Sequence, residues 1–409
     1  MHRAPFAGGF GGAGRWSGPA FLGLFLAGCV ASPAEPPAAD PSAGAAGARA
    51  GTAGSGGSAM AGSGAGGTPS VPPPGPGPGG IAEQMEPSFD PPGGLAVTDV
   101  PQFVVLGFDD NRYVDGMTWV LDTIGSRRNP AGKGNPRTHD GRPMKVSFYY
   151  TTDALDTGRE ALLATWRRAT QAGHEVANHT HTHRALENQG VPWDWQKEIQ
   201  QSNQILSEKL GVPEDQIRGF RAPFLNFDEA MFRTLGQTRG MIYDCSLTHI
   251  PLGGEGEMWQ FYRHLWPYTL HDDTDGMSGQ WRVGKHPRIW ELPVYTLPTV
   301  GPGRAQAVVA PMAGFDSTAF GTLGKSGPDF YNSMKWALDL RLEPGDNRAP
   351  LTVGLHSDTY SAVHKGYGAP LEARRKALVD FIDYALTRPE VRFVTAVELL
   401  EWMSSPAPL

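Results

Sequence analysis

Apolar and polar positions along this chain fall into short blocks that end abruptly. Gln102-Phe103-Val104-Val105-Leu106-Gly107-Phe108 is a compact apolar run that stops at Asp109-Asp110, the pattern of a buried strand. Residues 146–150 and 175–177 predict two further strands. Between them, residues 159–172 carry apolar side chains at helical spacing and end at Gly173, a helix C-terminal signal. Helices are also predicted over 195–210, stopped by Gly211, and over 371–386. Residues 217–220, 241–243, 289–294, 351–355 and 392–395 complete the strand set. Strands alternating with helices predict βαβ units and parallel pairing. Their repetition over about 300 residues predicts an α/β fold of distorted (β/α) barrel type rather than an open sheet.

Composition divides the chain. Of 409 residues, 53 are Gly and 36 Pro, well above the usual share of about 12%, and most of the excess lies in the first ninety. Segment 1–28 has Arg3 and Arg15 with no acid, an apolar stretch at 20–27, and the ending Leu26-Ala27-Gly28-Cys29. That is the layout of a secretory signal peptide, and the ending resembles a bacterial lipobox, which implies lipidation of Cys29. Segment 29–90 is a low-complexity Ala/Gly/Pro/Ser linker, poorest in large apolar residues from Val30 to Gly80. It cannot bury enough surface to offset its ordering entropy. A single folded domain is expected over 98–403. A net charge of −7 without a basic run argues against nucleic-acid binding. Two cysteines exclude a disulfide framework, and no apolar stretch after residue 30 is long enough to span a membrane.

The chemistry sits directly after the predicted strands. Asp109-Asp110 follows the first, His179-Thr180-His181-Thr182-His183 the third, Arg221 follows Phe220, and His356 follows Leu355. In parallel α/β barrels the C-terminal ends of the strands share one face, so these four clusters are expected to converge. An acidic pair after a strand also serves as a turn or cap. The histidine run is sharper. In an extended chain all three rings share a face, whereas in a helical turn only His179 and His183 do. Either way, imidazoles with one carboxylate suit a metal with an open position. A buried arginine can orient a carboxylate base, and a histidine opposite can give a proton to a leaving group.

In this order, Phe108-Asp109-Asp110, His179-Thr180-His181-Thr182-His183, Arg221-Ala222-Pro223-Phe224 and Leu355-His356 resemble the NodB-homology polysaccharide deacetylases, carbohydrate esterase family 4. Gly173–Thr180, Arg218–Leu225, Trp266-Pro267-Tyr268-Thr269-Leu270 and Asn347-Arg348-Ala349-Pro350 are similar to its chitin deacetylase-like branch. The resemblance implies Asp110, His179 and His183 as ligands of a divalent metal, Zn2+ first, with Co2+ or Mn2+ as alternatives. It implies Asp109 as general base, Arg221 as its positioning group, His356 as general acid and Asp244 as the acid tuning His356. The Phe224 backbone N–H would stabilise the oxyanion, with Leu355 and Trp266 at the substrate. Gly107, Asn111, Phe224 and Gly354 depart from the family pattern, and Gly354 implies an altered acyl pocket shaped by Leu355.

The expected activity is removal of N-acetyl groups from a chitin-like or peptidoglycan glycan. An O-acetyl esterase or small-molecule amidase on the same site is the alternative, and a non-catalytic surface glycan-binding module is the alternative of another class. Aromatic residues Trp193, Trp195, Trp259, Phe261, Tyr262, Tyr268 and Trp281 suit sugar faces or a core equally. The expected partners are the glycan and, through Cys29, a membrane. The envelope is the expected location, with the outer membrane favoured because Val30 replaces the Asp of an inner-membrane retention signal.

Overall fold

The structure, a computed structural model, describes residues 80–186, 193–249, 264–272, 283–300 and 308–409. The predicted leader and residues 29–79 of the predicted linker lie outside them, as do Trp259, Phe261, Tyr262 and Trp281. Among the described residues no helix is long and apolar enough to cross a membrane.

The strands are β1 (Gln102–Asp109), β2 (Ser147–Tyr150), β3 (Glu175–Asn178), β4 (Gly219–Phe220), β5 (Tyr243–Asp244), β6 (Thr248–His249), β7 (Tyr268–Thr269), β8 (Trp290–Glu291), β9 (Val294–Val300), β10 (Val308–Ala313), β11 (Leu351–His356) and β12 (Val391–Phe393). The helices are α1 (Val114–Gly125), α2 (Glu160–Gln171), α3 (Trp195–Leu210), α4 (Glu229–Gln237), α5 (Gly327–Leu342), α6 (Leu371–Leu386) and α7 (Ala396–Ser404). The main sheet runs β11-β1-β2-β3-β4-β5-β8-β7, with β12 also on β1. Its pairs are parallel except β7 on β8. No pair joins β7 to β11 among the described residues. Instead the strip β10-β9-β6 follows β8, and one bridge, Phe315 to Gly354, ties its exit to β11. The predicted barrel is thus a curled sheet whose gap is spanned by a second, smaller sheet.

Side chains alternate across this sheet as a strand's period of two requires. Val104, Leu106 and Phe108 of β1, Phe148 and Tyr150 of β2, and Leu351, Val353 and Leu355 of β11 join one cluster with residues of α1, α2, α5 and α6. Phe103, Val105, Tyr149, Ala177 and Tyr243 point the other way, packing with Trp266, Phe315 and the α7 residues Leu399, Leu400 and Trp402. β1 is buried over its whole length because both faces are covered.

The helices predicted over 195–210 and 371–386 appear with those bounds. Asp194 caps α3 by accepting from the Lys197 N–H, and Gly211 ends it at φ 71. The run 289–294 is broken at Leu292-Pro293 into β8 and the start of β9, since proline cannot donate to a ladder. The linker boundary at residue 90 is corrected: Ile81, Ala82 and Met85 pack on the inner cluster. The Trp290 indole donates to the Ala82 carbonyl at 2.9 Å, and the Asn347 amide to that of Phe89 at 2.7 Å. The far end also extends past 403, where the Leu409 N–H donates to the Asp99 carbonyl.

Candidate active site

Strand register brings the pieces together. Asp109 and His356 are Cα partners across β1 and β11, so both side chains leave the sheet on the same face. Asn178 and Phe220 are partners across β3 and β4, which places His179 beside Arg221. Each cluster then turns sharply. Asp110, Asn111, Thr180, His183, Phe224 and Leu225 all have left-handed backbone, with φ between 51° and 67°. For non-glycine residues each such conformation costs about 1 kcal/mol or more, and such strain gathers at functional sites. Asn111 is well suited to φ 62, and its amide donates to the Phe108 carbonyl at 2.8 Å and the Tyr149 carbonyl at 3.1 Å.

Asp109 is buried and receives the Arg221 guanidinium at 2.6 Å. Burial raises its pKa, and Arg221 opposes that rise. The other two nitrogens of Arg221 are partnered as well: Nε donates to the Cys245 carbonyl at 3.0 Å, and Nη2 lies 3.0 Å from Cys245 Sγ. Its guanidinium carbon sits 4.1 Å from the Tyr149 ring centroid and 5.2 Å from that of Phe315. A β-carbon at Gly107 would stand 2.9 Å from Tyr149 Cε2 and 3.1 Å from both Arg221 terminal nitrogens. Glycine there makes room for the arginine.

Asp110, His179 and His183 form one donor cluster, with one ligand atom from each within 4.8 Å of the others. His183 Nε2 lies 3.1 Å and His179 Nε2 3.9 Å from Asp110 Oδ1. His179 Nδ1 donates to the Arg221 carbonyl at 2.7 Å, which leaves the Nε2 lone pair aimed at Asp110, as a metal ligand requires. Burial pushes both histidines down to about 4, so above that pH they are neutral donors, while Asp110 is held well below the ordinary carboxylate range, against its own burial, by the positive charge of His183, His356 and His179 when protonated and of Arg112. The donor set fits a divalent metal with an open position. The run is neither extended nor helical: it turns at Thr180 and His183. His181 is held apart by Thr152 Oγ1 at 3.0 Å.

His356 is fixed by a carboxylate the sequence reading missed. Its Nδ1 donates to Asp316 Oδ1 at 2.7 Å, and its backbone N–H to Asp316 Oδ2 at 3.0 Å. Burial would lower its pKa, but Asp316, with Asp109 and Asp110 beyond, raises it to about 10. Asp244, expected in that role, is corrected. It is fully buried, accepts from the Ser246 N–H at 2.9 Å and hydroxyl at 2.8 Å, and bonds Glu291. Its pKa is raised to about 6, chiefly by burial. Asp316 follows Gly314-Phe315 after β10, a strand the apolar pattern did not predict. Glu198 was also missed. It accepts from the His181 and Thr182 N–H groups and the Thr182 hydroxyl, at 3.1, 2.8 and 2.8 Å, and so holds the histidine loop.

Two substrate residues are corrected as well. Leu355 is fully buried on the opposite, helix-covered face of β11. Trp266 is 1% exposed and stacks on Trp402 at 6.1 Å. Neither offers a surface to a ligand. Phe315 is the apolar side chain beside His356, with ring centroids 6.0 Å apart, and it fills the space a β-carbon at Gly354 would need. Phe224 packs its ring edge-on to His183 at 4.6 Å. Of the aromatic residues, Trp195 and Tyr268 are core, and the Trp195 indole donates to Asp228 at 2.8 Å.

Residues 140–240 match the family model described as polysaccharide deacetylase. The chain is 24% identical over 328 residues to chitin deacetylase 8 of Bombyx mori, covering 78% of this chain and 74% of that protein. It is 27% identical over 327 residues to chitin deacetylase 1 of the same organism, covering 77% of this chain and 53% of that protein, so it spans about half of the latter's length. Among solved structures it is similar to a family 4 acetyl xylan esterase from Clostridium thermocellum in complex with cobalt, at 15% identity and TM-score 0.38, over 73% of this chain and 89% of that one.

Proposed function

Because the chain carries a polysaccharide deacetylase domain, we propose that it hydrolyses N-acetyl groups from an N-acetylglucosamine-containing glycan, chitin-like or peptidoglycan. One observation carries this reading: the Asp109–Arg221 pair, the Asp110-His179-His183 donor cluster and His356 converge at the ends of β1, β3, β4 and β11 of one sheet, with Asp316 reaching His356 from beyond β10. They supply a base, a metal site and an acid on one face.

Asp110, His179 and His183 would hold the divalent metal, zinc in the first instance. When bound, it would supply Lewis-acid polarisation of the acetamide carbonyl and acidify water. Asp109 takes the proton of the attacking water, and Arg221 keeps the carboxylate aimed. The Phe224 backbone N–H is the donor for charge developing on the carbonyl oxygen. His356, held protonated by Asp316, gives its proton to the departing amine, and acetate and a free amino sugar leave.

The test is acetate release from chitin oligomers and peptidoglycan by the full chain, before and after chelation and zinc add-back. Metal-reversible release is expected. No release from a folded, metal-loaded protein overturns the reading.

The proposal extends to location. The apolar stretch at 20–27 and Leu26-Ala27-Gly28-Cys29 support lipidation at Cys29, and two or more acyl chains anchor stably at about 0.8 kcal/mol per buried CH2. The linker would then hold the enzyme away from an envelope membrane, the outer one favoured. Mass spectrometry of the mature N-terminus is the check, and an unmodified N-terminus overturns it.

A further inference from the structure

Metal ligands carried on a strained turn depend on whatever holds that turn. Thr180 and His183 both have left-handed backbone, at φ 67 and φ 51, and for the β-branched Thr180 that conformation is a true outlier. A backbone bond holds the entry, where the His179 N–H donates to the Tyr150 carbonyl at 3.1 Å. From Thr180 to His183 every N–H is bonded to a side chain instead. Asn178 Oδ1 accepts from Thr180 at 2.7 Å, and Glu198 Oε2 accepts from His181 and Thr182 at 3.1 and 2.8 Å. Thr180 Oγ1 accepts from His183 at 3.1 Å.

Asn178 and Glu198 tie this turn to α3. Asn178 Nδ2 donates to the Ile199 carbonyl at 3.0 Å and to Asn203 Oδ1 at 2.7 Å. Glu198 stands in the first turn of α3, which Asp194 caps and whose Trp195 and Ile199 are buried. Its other oxygen, Oε1, accepts from the Thr182 hydroxyl at 2.8 Å, so both oxygens are spent on the turn. Hydrogen bonds to a carboxylate are stronger than neutral ones, and a strained backbone persists only where its surroundings over-determine it.

The two histidines depend on this clamp unequally. His179 is tied by its backbone to Tyr150 and by its ring to the Arg221 carbonyl. His183 meets Asp110 at 3.1 Å from the far end of the turn. Freeing the turn therefore withdraws His183 and leaves His179 and Asp110 in place.

We propose that Glu198 is a positioning residue for the metal centre: from α3 it clamps the turn at 180–183 and so sets the affinity of the Asp110-His179-His183 cluster for a divalent ion. This rests on the metal-site reading above. The test uses the full-length chain and measures the zinc Kd by competition with a chromophoric chelator. Denaturant midpoints of the metal-free proteins are measured alongside. Glu198→Ala should raise the zinc Kd by about 10–100-fold, and excess zinc should restore most of its acetate release. Glu198→Gln keeps an oxygen for the two N–H groups and an amide for the Thr182 hydroxyl. It should hold the Kd within about threefold of wild type.

A lowered midpoint in Glu198→Ala with an unchanged zinc Kd marks a merely structural role and overturns the inference. A Kd in Glu198→Gln as weak as that of Glu198→Ala also overturns it, since charge alone then accounts for the loss. In both cases wild-type zinc binding stands. A wild-type chain that takes up no zinc is the distinct failure of the metal-site reading itself, and the inference falls with it.

Discussion

His356 Nδ1 donates to Asp316 Oδ1 at 2.7 Å while the same carboxylate receives the His356 backbone N–H at 3.0 Å. Asp316 therefore fixes the tautomer, the ring orientation and the charge of His356. Replacing it with Asn should lower kcat by about a hundredfold or more. The alkaline limb of the kcat/KM profile should move to lower pH, because burial then acts on His356 without its chief opposing charge. Asp244→Asn should leave that limb in place. Equal shifts in the two variants would return the tuning role to Asp244.

The same pair sets a pH dependence of stability. His356 is raised in the folded chain from 6.5 to about 10. Its contribution is then fully present below 6.5 and is lost as pH rises through about 10. Denaturant midpoints measured across that window on metal-free protein should fall with pH, and Asp316→Asn should flatten the fall.

Metal removal gives a third expectation. Chelation, His183→Ala or Asp110→Asn should each abolish acetate release and take bound metal from about one per chain toward none. Add-back should rescue the chelated wild type and neither variant. Elemental analysis beside the activity assay makes the comparison, and a variant that keeps full metal content would remove that residue from the ligand set.

Gly354 and Phe315 form a packing pair. Gly354→Ala drives a β-carbon into the Phe315 ring and should cost about 1–3 kcal/mol of stability. The double variant Gly354→Ala/Phe315→Ala should recover part of that loss, a coupling read from a double-mutant cycle of unfolding free energies.

Leu355 belongs to the core and not to a substrate pocket. Leu355→Ala should destabilise by about 2–5 kcal/mol and leave the ranking of acetyl against longer acyl substrates unchanged. Altered acyl preference without lost stability would restore its place at the substrate.

Local sequence determined much of this protein. The strand at 102–108 and the helices at 195–210 and 371–386 are written in period, cap and stop signals, which depend on neighbours a few residues apart. Asp109, Asp110, His179, Arg221 and His356 were legible because each sits at or just past the end of an apolar strand run, and the C-terminal ends of parallel strands share one face. What tertiary structure decided depends on distant partners. Asp316 reaches His356 from beyond a second sheet, whose exit is tied to β11 by the Phe315–Gly354 bridge, which no local pattern announces. Leu355 and His356 are adjacent in sequence, yet strand alternation sends one into the helix-covered core and the other into the site. The family resemblance puts Trp266 at the substrate, and the Trp402 ring stacked against it makes it a core residue instead. Asp244 and Asp316 are both buried aspartates at strand exits. The 2.7 Å contact, a matter of position in space, tells them apart.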